Sequence, residues 1–453
     1  MNQPISPPAR ALVLPPWERV RMDNGMTVLL VPRRGLPLVT FEVVLRAGAA
    51  GDPPGKEGLT STTFALLRKG TRRRSGEAFS AAVDSAGALY GASVDQDHAF
   101  VTAEFLSRDA EEGLGLVAEA LTTPTFPAEE VEKRTRLAID AIRDDKDYPP
   151  AVISRYYDAA LFDGHPYGRP VGGDEASLAR ITRADVASLH ASAVRPDSMI
   201  VAVAGDFERD TMLAMLERAF GATGAPSARP ASPAAHTIPA AAPVLGTRVV
   251  LVDKPDEETG YFRFGNVGIA FDDPDWALAN LARTVLGGSF TSWLNMALRV
   301  DEGLTYGVQA DLSRRRRRGP FSISSFSRVD LVERAIAICR AQLERLHADG
   351  IDEPTLAVAK SYIKGQFPLA IETADQVAEA YARFEAYGVP QEWIAEYLDR
   401  IARATAEEVS TAARRIFPRD DLVFAMIGPA EKLGLVAEKL GSVQVKGIGD
   451  VGF

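Results

Sequence analysis

The sequence predicts an α+β protein of two similar domains, each with an antiparallel-rich sheet flanked by helices. Three observations predict this class. The two halves of the 453-residue chain end in the same pattern, segments of alternating apolar and polar residues stand near the start of each half, and an aperiodic segment separates the halves. The length suits about two to four domains.

The strands at the start of each half follow from turn residues and alternation. Residues 20–33 (VRMDNGMTVLLVPR) predict a strand, a turn at the Asn-Gly pair 24–25 and a second strand. Residues 248–255 (RVVLVDKP) predict one strand that closes on a proline. Residues 41–48 and 261–270 alternate apolar and polar side chains, as half-buried strands do.

Long helical stretches follow these strands in both halves. They are predicted over 57–69, 75–86, 109–121 and 127–145 in the first half, and over 274–286, 289–302, 329–348 and 353–372 in the second. Strands at both ends with helices between them are typical of an α+β domain, here made twice. We expect a site between the two copies.

The ends of the halves match most closely. Residues 182–205 read TRADVASLHASAVRPDSMIVAVAG and residues 405–428 read TAEEVSTAARRIFPRDDLVFAMIG. Each starts with a threonine that can cap a helix, and continues with a helical run, a proline and an apolar strand ending in glycine. Because a helix continues through proline only at high cost, the pattern predicts a helix followed by a strand.

A linker is predicted between the halves. Residues 221–247 are rich in Ala, Pro, Gly and Ser and have no helical or strand period. Residues 1–220 are therefore predicted as the first domain and residues 248–453 as the second.

The charge balance restricts the classes of partner. The net charge of −10 disfavours nucleic acid and anionic membranes, because both require a basic face. The one basic cluster is the run of five arginines at 314–318. A solvated hairpin tip is the simpler interpretation of this run, and a docking patch for an acidic partner is the alternative.

Cysteine content and hydropathy indicate a cytoplasmic protein. Cys339 is the only cysteine and lies in an apolar run, which predicts a buried core thiol. The start of the chain lacks the apolar stretch of a secretory signal, and no run of about 18 apolar residues indicates a membrane span. We expect a cytoplasmic location, or a periplasmic one if the start was trimmed.

Residues 58–71 read GLTSTTFALLRKGT, a helix-length segment crowded with hydroxyls. This segment resembles, without a gap, the helix G-L-A-H-F-L-E-H-M-L-F-K-G-T of the pitrilysin/insulinase metallopeptidases, the inverzincins. Similar segments stand at 164–173 (GHPYGRPVGG), 199–207 (MIVAVAGDF), 286–290 (LGGSF) and after residue 353, so the resemblance covers nearly the whole chain. It implies two homologous domains that enclose a central chamber together with a partner subunit.

The zinc motif of that family is degenerate in this chain. In H-x-x-E-H the two His residues hold one Zn²⁺ from the same side of a helix, and the Glu acts as the base. Here the His positions hold Ser61 and Ala65, and the base position holds Phe64. The third ligand of the family, a Glu on a later helix, falls at Ala141. Asp140 is the nearest acid, but a shift of one residue turns it by about 100° around the helix.

No other residues supply a replacement site. The five histidines form no H-x₃-H pair: His98, His165, His190, His236 and His347. His165, in the GHPYG segment, is predicted to be structural. Ser61 stands in no G-x-S-x-G elbow and has no evident base, which argues against a nucleophile. We therefore expect no metal or other cofactor on this chain.

Residues 298–307 read LRVDEGLTYG and resemble L-R-E-K-R-G-L-A-Y-S in the second domain of the family. There the Arg and Tyr reach the zinc site across the chamber, and the resemblance assigns these roles to Arg299 and Tyr306, also seven residues apart. A phenol donor can stabilise charge developing on a carbonyl oxygen, and a guanidinium can bind backbone carbonyls.

Simpler interpretations remain for each residue of the pair. Arg299 alone reads as a surface arginine on an amphipathic helix, and Tyr306 alone as a strand residue packed at a domain face. A continuous helix would place both side chains on one face, whereas a break at Gly303 would leave Tyr306 on the following turn. The sequence leaves both geometries open.

The resemblance implies the zinc-free subunit of a two-subunit enzyme, of a bacterial or mitochondrial-processing-peptidase-like type. A partner chain with H-x-x-E-H would hold the zinc, Arg299 and Tyr306 would act in trans, and this chain alone would be inactive. The expected substrate is an extended peptide that adds to a sheet edge, near residues 88–96.

Two other functions remain possible for this fold. One is a structural scaffold that has lost catalysis, in which the residue types at positions 299 and 306 would not be retained. The other is a peptide-binding module that needs no partner and tolerates Tyr306→Phe.

Overall fold

The computed structural model describes residues 15–221, here the first half, and residues 238–450, the second half. These ranges contain two six-stranded sheets. The first comprises β1 (Glu18–Arg21), β2 (Thr27–Pro32), β3 (Leu38–Leu45), β4 (Leu89–Val94), β5 (Ala99–Leu106) and β6 (Met199–Gly205). The second comprises β7 (Arg248–Asp253), β8 (Thr259–Val267), β9 (Val308–Leu312), β10 (Pro320–Arg328), β11 (Val423–Gly428) and β12 (Ser442–Gly447).

Helices surround both sheets. In the first half they are α1 (Leu59–Ala65), α2 (Gly76–Ser85), α3 (Ala110–Thr122), α4 (Ala128–Asp145), α5 (Pro149–Leu161), α6 (Glu175–Leu178), α7 (Arg183–Ala193) and α8 (Arg209–Phe220). In the second they are α9 (Trp276–Arg283), α10 (Trp293–Asn295), α11 (Val332–Ala348), α12 (Glu353–Gln366), α13 (Ala374–Tyr387), α14 (Glu392–Arg403), α15 (Ala406–Ile416) and α16 (Ala430–Leu440). Two π-helical segments, Thr284–Gly288 and Met296–Asp301, follow α9 and α10.

The two sheets share a strand order, which confirms the predicted α+β class with antiparallel-rich sheets. The order is β1-β2-β6-β3-β5-β4 in the first and β12-β7-β11-β8-β10-β9 in the second. Neighbours are antiparallel except β2–β6 in the first sheet and β7–β11 and β7–β12 in the second. The outer strand beside β2 comes from the predicted strand–turn–strand, whereas the one beside β7 comes from the end of the described chain.

The repeated ends of the halves form as predicted. The hydroxyls of Thr182 and Thr405 accept hydrogen bonds from the N–H groups of Asp185 and Glu408, and these capping boxes start α7 and α15. Each helix is followed by a buried strand, β6 or β11.

The predicted helices also form, with shorter or irregular ends. The helix predicted over 57–69 is confined to α1, where Gly58 with φ of +89° precedes it. The helices predicted over 274–286 and 289–302 finish as the two π-helical segments. The last turn of the helix predicted over 353–372 is the 3₁₀ segment Phe367–Ile371.

Each half contributes one helix to the sheet of the other half. Side chains of α5, including Tyr156 and Tyr157, pack with Val250, Val423 and other residues of the second sheet. The sequence patterns indicated neither α5 nor α13.

Reciprocally, α13 covers the outer face of the first sheet. Its side chains Val377, Ala378 and Tyr381 pack against Leu29 and Ile200. Because each sheet is therefore covered on one face by the other half, the two halves form one packed body.

The arginine run at 314–318 corrects a prediction, because it is neither a solvated hairpin tip nor a free docking patch. It connects β9 to β10 and reaches across to the first half. Arg315 bonds the carboxylate of Asp158 at 2.9 Å, and the backbone N–H of Arg316 donates to Asp97 at 2.7 Å. The Nε of Arg318 donates to the carbonyl of Gly268 at 2.6 Å. Backbone acceptors and interdomain carboxylates thus replace water around these side chains.

Of the remaining predictions, one is confirmed and one stays untested. Cys339 is fully buried in the core of the second half, as predicted. The predicted linker 221–247 lies mostly outside the described residues, so the domain limits 1–220 and 248–453 stay predictions. In the described part of the chain, no helix is both long and apolar enough to cross a membrane.

The seam beneath α13 contains a buried carboxyl group whose ionisation should affect stability. Glu42 on β3 is 2% exposed and accepts a hydrogen bond from the hydroxyl of Thr102. Burial raises the pKa of Glu42 from 4.5 to about 8, and the neighbouring carboxylates of Glu379 and Asp375 on α13 add to that increase in pKa. The charged form is therefore disfavoured in the folded protein.

We predict that Glu42→Gln stabilises the protein in alkaline but not in acidic solution. Because the folded-state pKa of Glu42 exceeds the unfolded one, its contribution to stability is complete below about pH 4.5 and is lost as the pH rises through about 8. The gain of the variant in unfolding free energy should grow to the order of 3–5 kcal/mol over that interval. Denaturant titrations from pH 4.5 to 9 measure it, and a difference independent of pH would contradict the assignment.

Candidate functional site

The helix α1 holds Ser61, Phe64 and Ala65, the positions that the sequence resemblance aligns with two metal ligands and the base. A buried carboxylate fixes the start of this helix, because Asp52 accepts hydrogen bonds from the N–H groups of Gly58 at 2.9 Å and Thr60 at 3.0 Å. Burial raises the pKa of Asp52 to about 6, against the lowering effect of these bonds. Gly58 is required there, since a Cβ would lie 2.7 Å from the carbonyl oxygen of Gly172.

The side chains of α1 are occupied within the protein. The hydroxyl of Ser61 donates to the carbonyl of Val171 at 2.7 Å, and that of Thr63 donates to the carbonyl of Leu59 at 2.8 Å. Phe64, in the position of the base, is 1% exposed in the core of the first half. The hydroxyls of Thr60, Ser61 and Thr63 therefore have partners within the protein without a metal ion.

The third position is equally unsuited to zinc. Ala141 lies exposed on α4, and Asp140 beside it pairs with Arg143 at 3.7 Å. Within residues 15–221 and 238–450, no three His, Cys, Asp or Glu side chains form a group that could hold a metal ion. The described residues at these positions therefore do not fit a zinc ion.

A cationic pocket of about 410 Å³ lies beside α1, between β4 and α4. Phe64 and Ala65 form part of its wall. Four basic side chains and one acidic side chain also line it: Arg68, Lys69, Lys133, Arg134 and Glu130. None of the four basic groups forms a salt bridge with another described residue. In a chain with net charge −10, this pocket is a local concentration of positive charge.

The strand β4 forms one rim of this pocket and lies at the edge of its sheet, as predicted for residues 88–96. It pairs with β5 alone, so one row of its backbone N–H and C=O groups has no strand beside it. Leu89 is 70% exposed on this strand. An edge of this kind can accept an added strand.

The guanidinium of Arg299 is exposed and free of carboxylates. Arg299 lies in the π-helical segment Met296–Asp301 and stacks over the ring of Phe290, with 4.7 Å between its Cζ atom and the ring centroid. It forms no salt bridge with a described residue. An aromatic ring can hold a cation in place while leaving its N–H donors available. Such π-helical segments are frequent at functional sites.

The ring of Tyr306 is exposed to solvent, whereas the backbone on both sides of it is held by hydrogen bonds. Tyr306 is 84% exposed, so the packed strand position considered for it is wrong. The hydroxyl of Ser325 donates to the carbonyl of Gly307 at 2.9 Å, and that of Ser327 donates to the carbonyl of Leu304 at 2.8 Å. Gly303 has φ of +63°, which breaks the helix and leaves Tyr306 in the turn before β9.

The predicted site residues thus fall into two groups. Phe64 and Ala65 share the cationic pocket, whereas Arg299 and Tyr306 flank the helix break of the second half; the lining of the pocket includes neither of these two. Sequence reasoning missed the basic side chains of the pocket. The sequence signal for this pocket was two pairs of adjacent basic residues, Arg68-Lys69 just after α1 and Lys133-Arg134 in α4.

Two sequence models of one peptidase family match the chain. The model described as Insulinase (Peptidase family M16) matches residues 28–175, and the one described as Peptidase M16 inactive domain matches residues 180–362. An uncharacterized zinc protease of Mycobacterium tuberculosis is 27% identical over 421 residues, covering 91% of this chain and 93% of that protein. One of Streptomyces coelicolor is 25% identical over 417 residues, covering 91% and 89%.

Solved structures share the fold. A peptidase M16 inactive domain from Pseudomonas fluorescens gives a TM-score of 0.84 at 24% identity, covering 91% of this chain and 98% of that one. A protease from Helicobacter pylori gives 0.83 at 19% identity, covering 92% and 100%. These likenesses agree with the resemblance found in the sequence.

We predict that chelation does not change the stability of this chain. Because the ligand positions hold Ser61, Ala65 and Ala141, removal of divalent metal should leave the melting temperature unchanged. Calorimetry with and without EDTA, together with elemental analysis for zinc, measures this. A melting temperature that falls with EDTA and returns with zinc would contradict the assignment.

Proposed function

Because the chain belongs to the insulinase (M16) peptidase family, we propose that it is the zinc-free subunit of a two-subunit metallopeptidase that hydrolyses peptides. A partner subunit with H-x-x-E-H would hold the zinc ion, and this chain would supply Arg299 and Tyr306 in trans. Two observations together carry the proposal. The described residues of the first half include no group of zinc-ligating side chains, and the side chains of Arg299 and Tyr306 in the second half are exposed to solvent.

Arg299 and Tyr306 suit the binding of a peptide under attack. The phenol of Tyr306 would donate to the carbonyl oxygen on which negative charge develops, and the guanidinium of Arg299 would bind backbone carbonyls of the substrate. The fixed backbone around Tyr306 supports this role, since a donor held in place needs no reorganisation during the reaction.

The exposure of the pair suits action on a neighbouring chain. Two exposed apolar side chains lie beside Arg299. Phe290, over whose ring Arg299 stacks, is 63% exposed, and Val300, the next residue in the chain, is 54% exposed. Exposed apolar side chains beside polar groups are typical of surfaces that a partner covers. The chamber inferred from the family would then enclose the substrate between the two subunits.

The cationic pocket favours a second function, binding of acidic peptides by this chain itself. The free edge of β4 offers backbone hydrogen bonds to an extended peptide, and the neighbouring Arg68, Lys69, Lys133 and Arg134 would attract its carboxylates. This function is compatible with the subunit role, because a bound peptide can extend toward the partner. A purely structural scaffold would need neither feature.

We predict that Tyr306→Phe and Arg299→Ala impair catalysis by the assembled enzyme. Loss of the Tyr306 donor to the reacting oxygen should lower kcat by about 100- to 1000-fold with a smaller change in KM, whereas loss of the Arg299 contacts to the substrate backbone should lower kcat/KM. Steady-state kinetics with the co-expressed zinc subunit measures this, and Tyr362→Phe, on another exposed tyrosine of the second half, serves as the control. Peptidase activity of this chain alone, abolished by chelator, would refute the subunit role.

We also predict that this chain prefers acidic peptides. The paired substitution Lys133→Glu and Arg134→Glu should weaken binding of an acidic peptide about tenfold or more, because it reverses two charges at the pocket. Fluorescence anisotropy with acidic, neutral and basic peptides at two salt concentrations measures the effect. Lys364→Glu, on an exposed lysine of α12, is the control. Equal affinity for the three peptides would exclude the pocket as a binding site.

A further inference from the structure

An apolar pocket of about 510 Å³ lies where the packing of the two halves meets. Its walls come from α9, the 3₁₀ segment 367–371, α13 and α14. Six large side chains dominate the lining, and most of them are half-buried: Trp276, Phe367, Phe384, Trp393, Ile394 and Tyr397. Pockets of about 300–1,000 Å³ with apolar walls at a domain interface are typical of small-molecule sites.

The walls combine two cores. Trp276 and Tyr397 pack against the core of the second half, whereas Phe367 and Phe384 pack against the cluster in which α13 covers the first sheet. Four separate elements therefore border this partly open cleft, and its volume suits a small molecule.

One cation lies at this pocket without an anion in contact. The guanidinium of Arg314 is held between two rings, with its Cζ atom 3.7 Å from the centroid of Trp276 and 4.3 Å from that of Phe271. One of its N–H groups donates to the carbonyl of Phe271 at 2.9 Å. Arg314 forms no salt bridge with a described residue, since the nearby Asp273 pairs with Arg415 at 3.2 Å.

The charge of Arg314 persists at neutral pH. Burial lowers the pKa of Arg314, against the raising effect of Tyr397 and Tyr387, to about 10. Arg314 is half-buried, and a cation withdrawn from water in this way is costly unless an anion or several acceptors satisfy it. A ligand with a carboxylate would supply the anionic partner that no described residue provides to Arg314.

Other polar groups of the pocket favour an anion with an apolar body. Asn280 donates to the hydroxyl oxygen of Tyr397 at 2.6 Å, which leaves that hydroxyl as a donor toward a ligand. Glu396 and Arg400 lie exposed among the lining residues, and Arg400 pairs with Glu408 at 3.4 Å. The remaining walls offer apolar surface rather than hydrogen-bond partners.

We propose that this pocket binds a small apolar carboxylate, of which a medium-chain fatty acid is the simplest example, with its carboxylate on Arg314 and its chain among the aromatic side chains. The site is separate from Arg299, Tyr306 and the cationic pocket. Because α13 also covers the first sheet, a bound ligand would strengthen the contact between the halves.

Tryptophan fluorescence of the full chain tests this proposal directly. Two of the four tryptophans, Trp276 and Trp393, line the pocket. Decanoate, decan-1-ol and decyltrimethylammonium share one chain and differ in charge, so titrations below their micelle concentrations separate the contribution of the carboxylate. We expect saturable binding of decanoate, about 10- to 100-fold tighter than that of decanol, and none of the cation.

Matched variants assign the contribution to one side chain. Arg314→Met should reduce the affinity for decanoate to that for decanol, while Arg317→Met, in the same arginine run but outside the lining, should change neither. If Arg314→Met does not fold, Ala380→Phe, which fills the pocket, should abolish binding of both ligands. Equal binding of decanoate and decanol by the wild type, or tight decanoate binding by either pocket variant, would overturn the proposal.

Discussion

The reciprocal packing of α5 and α13 is the constraint on which the rest of this structure depends. A six-stranded sheet has two apolar faces, and in each half the local helices cover only one of them. Removal of α13 would expose Leu29, Val44 and Ile200 of the first sheet, and removal of α5 would expose Val250 and Val423 of the second. Exposure of such a face would cost about 25 cal/mol per Å² of apolar surface, so each half is stabilised by the helix from the other. The relative placement of the halves is therefore set by core packing rather than by a few surface contacts.

A buried polar cluster then fixes the register of this packing. Asp97 in the first half accepts hydrogen bonds from the hydroxyls of Tyr167 at 2.7 Å and Tyr387 at 3.0 Å, and from the N–H of Arg316. Tyr387 ends α13, and Arg316 follows β9, so two elements of the second half meet one carboxylate of the first. Tyr306 comes just before β9, and the arginine run that contacts the first half comes just after it. The position of β9 therefore affects the position of the phenol as well. The geometry of the candidate catalytic group is thus coupled to the packing between the halves.

The sequence predicted those features whose signals are local. Threonine caps, the prolines after α7 and α15 and the alternating strands each act over a few residues. The degenerate ligand positions are implied by the resemblance of residues 58–71 to the family helix. The helices α5 and α13 went unpredicted because the surface that buries each of them lies in the other half of the chain. The arginine run was misinterpreted for a related reason, since adjacent charges suggest solvent unless distant carbonyls and Asp158 are known to meet them. The cationic pocket was missed because Arg68 and Lys133 come together only when α1 and α4 pack.

The two halves share a sheet topology but differ in the chemistry of their candidate site residues. In the first half, Ser61 and Ala65 stand at the positions that the resemblance assigns to two metal ligands, and the hydroxyls of Ser61 and Thr63 donate to backbone carbonyls, so these positions place no charge in the interior. In the second half, Tyr306 contributes little to folding, because its ring is 84% exposed, yet hydrogen bonds from Ser325 and Ser327 hold the backbone on both sides of it. Stability alone does not require ordered backbone beneath a bare ring. The proposed role of Tyr306, which needs the phenol in one place, would account for order at that position.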